Sequence, residues 1–153
     1  MTASRALNPG YNGNPPPCPR PVGLVLVASE PAVNIFGLTT RYTARAWLPQ
    51  VESSAEGVAR ELVSRAVETT GIPGPHPRWT DMDDKDIPLI EVGLRLECPS
   101  LVIEVWDGDR TSPYPLPGAY LDDHLTAVHG QADRWNWFPR GRGKVIWAEL
   151  GIR

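Results

Sequence analysis

The stretch LIEVGLRLECPSLVIEVWD, residues 89–107, alternates apolar and polar side chains through two runs separated by a short break at Cys98, Pro99 and Ser100. Successive side chains of a strand point to opposite faces, so two such runs so close together predict an antiparallel hairpin. In the second run Leu101, Ile103 and Val105 fall on one face and Val102, Glu104 and Trp106 on the other. One face of the hairpin is therefore aliphatic and must be covered. Helices gathered on that face of a mostly antiparallel sheet give an α+β two-layer sandwich.

The rest of the chain supplies the covering elements. VGLVLVAS, residues 22–29, has the length and branching of a strand, and Ser29 and Pro31 provide an N-cap residue and a first-turn proline for a following helix. That helix is expected to reach about Leu48, before Pro49, with Ala32, Ile35, Phe36 and Thr39 as its buried stripe. A second helix follows, in which Ser53 and Glu56 match the capping-box pattern. Its Ala55, Val58, Ala59, Leu62, Val63, Ala66 and Val67 keep the three-four rhythm of one apolar face, and Gly71 and Pro73 end it. Glu61, Arg65 and Glu68 then share a flank away from that face. Beyond a proline-broken loop over 107–120, a third helix places Leu121, Leu125, Val128 and Ala132 on one side. RWNWFP and KVIWAEL read as a closing hairpin around RGRG.

Composition limits what such a sandwich can do. With 153 residues, 41% of them hydrophobic, the chain suits one domain over 22–153. The first 21 residues, dense in Pro, Gly and Asn, read as a disordered arm. A net charge of -3 with interspersed signs argues against nucleic acid or an anionic membrane as a direct partner. The longest apolar run, Val22 to Ala28, is far below the roughly 20 residues that span a bilayer, and no signal-peptide pattern precedes it, so a cytoplasmic chain is expected. Cys18 and Cys98 lack any paired spacing and read as structural thiols. Arginine supplies 13 of the 15 basic residues, a composition that points to GC-rich codons and a bacterial source.

Three segments together, ARELVSRAVETTG, GLRLECPSLVIEVWDGD and ADRWNWFPRGRGKVIWAEL, resemble the small ATP-binding proteins of the anti-sigma-factor serine kinase group, within the histidine-kinase and Hsp90-like ATPases. The resemblance spans about residues 22–150 and rests on the order and spacing of the segments. It implies a Bergerat-type ATP pocket between sheet and helices, regulatory protein partners and, for chains of this size, homodimers. In that family a helix glutamate is followed four residues later by an asparagine that holds magnesium. Glu61 matches the acid as catalytic candidate, and Arg65 stands at the asparagine. A guanidinium offers donors only, so the exchange argues against magnesium. Asp107 and Gly108 match the start of the family's adenine-binding motif, whose second glycine is missing after Asp109. Of the glycine-rich phosphate lid one glycine, Gly118, remains, and Asp122 and Asp123 follow it. Acids at that helix start repel phosphate rather than attract it.

Each of these residues also has an ordinary reading. Glu61 and Arg65 are spaced for an exposed i, i+4 ion pair, and Asp107 can begin a DGD turn. His124 and His129 are five apart and share no ligand face. Asp81, Asp83, Asp84 and Asp86 lack the glycine and glutamate of a calcium loop, and GRGK, residues 141–144, reads as a turn. Trp106, Trp135, Trp137 and Trp147 read as core or interface residues. The function favoured is a regulatory protein of kinase-like fold, with reduced or lost nucleotide chemistry, that binds a sigma factor, an antagonist or a transcriptional regulator. The alternatives are an active serine/threonine kinase and a binder of another small ligand in the vacated pocket.

Overall fold

A computed structural model describes residues 19–72, 83–114 and 119–151. Five strands form one open sheet: β1 (Val22–Val27), β2 (Leu89–Glu97), β3 (Ser100–Asp107), β4 (Arg134–Arg140) and β5 (Gly143–Gly151). Their spatial order is β1-β2-β3-β5-β4, and every neighbouring pair is antiparallel. Three helices, α1 (Glu30–Trp47), α2 (Glu52–Thr70) and α3 (Asp123–Gln131), form the second layer, with α2 in the middle against α1 and α3. The expected α+β two-layer sandwich is the architecture found. The hairpin read from 89–107 is β2–β3, joined through a cis Cys98–Pro99 bond, and Cys98 is exposed.

The alternation of β3 sets the core. Leu101, Ile103 and Val105 are buried, and across the ladder they face Leu150, Ala148 and Ile146 of β5. Val58, Leu62 and Val63 of α2 and Leu125 and Val128 of α3 pack into the same cluster. Each such side chain, fully withdrawn from water, contributes about 1.5–3 kcal/mol of transfer free energy, so this face holds the layers together. Among the described residues, no helix is long and apolar enough to cross a membrane.

Local expectations are corrected in four places. The Ser53–Glu56 capping box does not form: a 3-10 turn over Pro49–Val51 runs straight into α2, which starts at Glu52 without a side-chain cap, and Glu56 pairs with Arg41 and Arg60. Ser29 occupies the N-cap of α1, but its hydroxyl donates to the Val27 carbonyl rather than accepting from the helix. The buried face of α1 is Ala32, Phe36, Gly37, Thr40 and Ala44, so Ile35 points to solvent at 47% exposure and Thr39 is half-buried. Gly37 lies on the buried side against α2, where a Cβ would stand 2.7 Å from the Arg60 side chain. Finally, GRGK is only half a turn. Gly141, at φ 58, lies in the turn, whereas Gly143 and Lys144 belong to β5. The arm expected over 1–21 lies largely outside the described residues, as do Cys18, Pro73, Asp81 and Gly118.

Candidate functional site

The sequence candidates fall into two clusters, one between helices and one at the ends of strands. On α2, positions 61, 65 and 68 recur at helical spacing and turn toward the first turn of α3. Arg65 Nε donates to Asp122 Oδ2 at 2.8 Å, in a side chain left only 13% exposed. Asp122 is at the same time the N-cap of α3, its Oδ1 accepting from Leu125 N at 2.9 Å. One carboxylate thus starts α3 and anchors it to α2.

The second half of this junction is His124. Its Nδ1 lies 2.7 Å from Glu61 Oε2 and its Nε2 lies 3.0 Å from Glu68 Oε2. Both ring nitrogens facing carboxylates call for two N–H donors, which is the imidazolium form. Burial pulls the His124 pKa down, but its hydrogen bonds to Glu61 and Glu68 and their charges prevail and raise it above 6.5. Burial raises that of Asp122, and the Leu125 N–H and the Arg65 guanidinium outweigh it, leaving the carboxyl below its usual range. The i, i+4 pair expected between Glu61 and Arg65 is not formed. Each of the two residues instead finds an opposite charge on α3.

At the strand ends, Asp107 is 2% exposed and sits directly across the ladder from Lys144, which is wholly buried. Lys144 Nζ lies 3.0 Å from Asp107 Oδ1, 2.7 Å from the Asp109 carbonyl oxygen and 3.4 Å from Asp109 Oδ2. Three acceptors for three ammonium protons satisfy a charge that would otherwise be costly to bury. Asp107 Oδ1 also accepts from the Asp109 N–H at 2.8 Å, so the DGD turn is real. Gly143 permits the close pairing of these strands, because a Cβ there would run into the Asp107 carbonyl oxygen. Gly108 lines a separate cleft of 360 Å³ with Thr70, Ile87, Pro88 and Trp106.

The structure therefore brings Glu61 and Arg65 together at one junction and gives Asp107 a different set of partners. Sequence reading missed Lys144 and His124 as members of these clusters. The available signal for Lys144 was its place in KVIWAEL, where strand alternation from Ile146 and Ala148 sends it inward. His129 accepts from the Trp135 indole, so neither helix histidine is a candidate ligand. Among the described residues no group of His, Cys, Asp and Glu is arranged to hold a metal.

A magnesium–nucleotide group fits these residues poorly. A cation needs lone pairs where Arg65 presents N–H groups, and an adenine amino group needs the carboxylate oxygens of Asp107, one of which already accepts from Lys144 and Asp109. Known proteins add no constraint of their own, since the chain matches no protein-family model and no curated protein.

Proposed function

We propose that this chain is a regulatory interaction module on a histidine-kinase-like ATPase scaffold, one that has lost nucleotide chemistry and acts by binding a partner protein. The observation carrying this reading is the ionic clasp of α2 on α3. Glu61 and Arg65, at the positions where that scaffold would hold catalytic acid and metal ligand, are neutralised by His124 and Asp122 of the same chain. Lys144 engages Asp107 in the same manner. By resemblance the partner is a sigma factor, an antagonist or a transcriptional regulator.

The kinase alternative draws on a single feature. Arg65 Nη1 is buried with no hydrogen-bond partner among the described residues, a donor of the kind that holds phosphate. Asp122 already pairs with this guanidinium, and the junction carries Glu61, Glu68, Asp122 and Asp123 against Arg65 and His124, an excess of negative charge that disfavours a triphosphate.

Calorimetric titration of ATP and of ADP, with and without magnesium, separates the readings. The expected result is no binding up to millimolar nucleotide in folded protein. Micromolar, magnesium-dependent binding overturns the proposal in favour of the kinase.

A further inference from the structure

The sheet has two borders, and they are built differently. The outer strand β4, RWNWFPR, carries Arg134, Pro139 and Arg140, the charges and proline that discourage a further strand from pairing. The outer strand β1, VGLVLV, carries neither charge nor proline over its six residues. Ala28 N–H donates to the Pro88 carbonyl at 2.9 Å, next to the Val27–Leu89 pair, so the bonds to β2 belong to the alternate residues Val22, Leu24 and Leu26. Gly23, Val25 and Val27 therefore turn their main-chain groups outward. The Val27 carbonyl accepts from the Ser29 hydroxyl at 3.4 Å, and the others have no partner among the described residues.

Apolar surface flanks this border on both sides of the sheet. α1 meets α2 through Asn34, Gly37 and Arg41, and at about 100° per residue Ile35, Thr39 and Tyr42 lie on its opposite flank. α1 touches β2 and α3 touches β4, with α2 between them, so the free flank of α1 stands over the β1 border. Ile35 and Tyr42 are 47% and 57% exposed there. On the other side of the sheet, Val25 and Leu89 are exposed beside the cleft of 360 Å³, and the bare Gly23–Gly93 pair leaves a second hollow of 230 Å³.

We propose that β1 accepts an extended segment of the partner protein as a sixth strand, antiparallel to Val22–Val27, with the segment's basic N-terminal end at Glu30 and its acidic C-terminal end at Arg20. This inference rests on the reading of the chain as a partner-binding module and names its mode of docking. Main-chain bonds along an open edge supply affinity in such complexes, and alternate side chains entering flanking hollows supply selectivity. Charge fixes the direction. Arg20 and Glu30, just past the two ends of β1, are exposed and form no ion pair among the described residues. Asp83 and Asp86, beside Lys85 in the turn before Pro88, add to the negative end, whereas Arg95, Glu97 and Glu104 pair with one another near Arg20. Antiparallel addition continues the pattern of all four ladders. The chain's own arm is a poor occupant, since six of residues 8–21 are prolines, which have no N–H to donate.

Amide hydrogen exchange of the full isotope-labelled chain, read residue by residue by NMR, tests this. In the free chain Gly23, Val25 and Val27 are expected to exchange fast, and Leu24 and Leu26 slowly, at every protein concentration. The synthetic peptide acetyl-Lys-Val-Thr-Val-Thr-Val-Thr-Glu-amide is expected to slow the first three about tenfold when present at about ten times its Kd. Exchanging its terminal Lys and Glu is expected to weaken binding about threefold. N-methylating its two central residues keeps the side chains but blocks a donor facing β1, and is expected to abolish the protection. Val25→Pro removes an outward N–H alone, so it is expected to keep the circular-dichroism spectrum and to lose the peptide. Slow exchange at Gly23 and Val25 in the free chain overturns the proposal: if constant, the chain's own residues cover the edge, and if it grows with protein concentration, a second copy does. A peptide that protects nothing, or that still protects when N-methylated, overturns it as well, and equal binding by the charge-exchanged peptide overturns its direction. Magnesium-dependent nucleotide binding would instead strike the partner-binding reading, whereas a failed peptide in a chain that binds no nucleotide strikes the edge alone.

Discussion

The Asp107–Lys144 pair and the α2–α3 clasp are both intrachain ion pairs at positions where a nucleotide site was expected, yet they differ in what surrounds them. Lys144 and Asp107 are 0% and 2% exposed in their side chains. At the clasp the cations are largely covered, Arg65 at 13% and His124 at 21%, but their carboxylate partners reach solvent, Asp122 at 42%, Glu61 at 36% and Glu68 at 71% exposed. In the first place water reaches neither partner; in the second it reaches the carboxylates. Ion pairs of similar length therefore have different functions: the buried one fixes how β3 ends and β5 begins, and the half-covered ones set how firmly α3 is held.

The largest effect is expected at the buried pair. Lys144→Met leaves Asp107 in the interior without its cation, and the expected loss is about 3–5 kcal/mol, the range for removing one partner of a buried pair. Urea denaturation measures it, and adding Asp107→Leu is expected to recover part of the loss because no orphaned charge then remains. Equal instability of single and double variants would remove the contrast with the clasp. At the clasp, Asp122→Ala removes the N-cap of α3 together with the partner of Arg65, with an expected cost of about 1–2 kcal/mol. A loss as large as that of Lys144→Met would show that the clasp is not the softer region.

The smallest effect is one of pH. The His124 pKa is raised on folding, so its contribution is complete below the ordinary value of 6.5 and is lost as pH climbs through the raised value. Between neutral and mildly alkaline pH the wild type is expected to lose stability relative to His124→Gln. The difference is expected to stay within about 1 kcal/mol, as befits partly exposed partners. Parallel urea midpoints across that window are the measurement, and identical slopes in the two proteins would remove His124 from the clasp.

Most of the fold was legible because it depends on local periodicity. The alternation of 89–107 and the three-four rhythm of 55–67 each specify an element and its buried face without reference to the rest of the chain. The buried face of α1 was misread at Ile35 because periodicity alone does not reveal that Gly37 lies against Arg60. The clusters were less legible still. Arg65 and Asp122 are 57 positions apart, and Glu61 and His124 are 63 apart. Spacing along one helix suggested that Glu61 and Arg65 would pair with each other, and tertiary packing gave each a stronger partner on another helix.

The order β1-β2-β3-β5-β4 also has a bearing on synthesis. The last of the five described strands in sequence, β5, takes an inner position between β3 and β4. As the chain leaves the ribosome, β4 emerges as an edge strand with no neighbour yet to pair with, and β3 is left with one side open until Gly143–Gly151 arrives. A chain lacking the residues after Arg140 therefore leaves open the two borders that β5 covers, one on β3 and one on β4, the condition under which chaperone capture or association between chains is favoured.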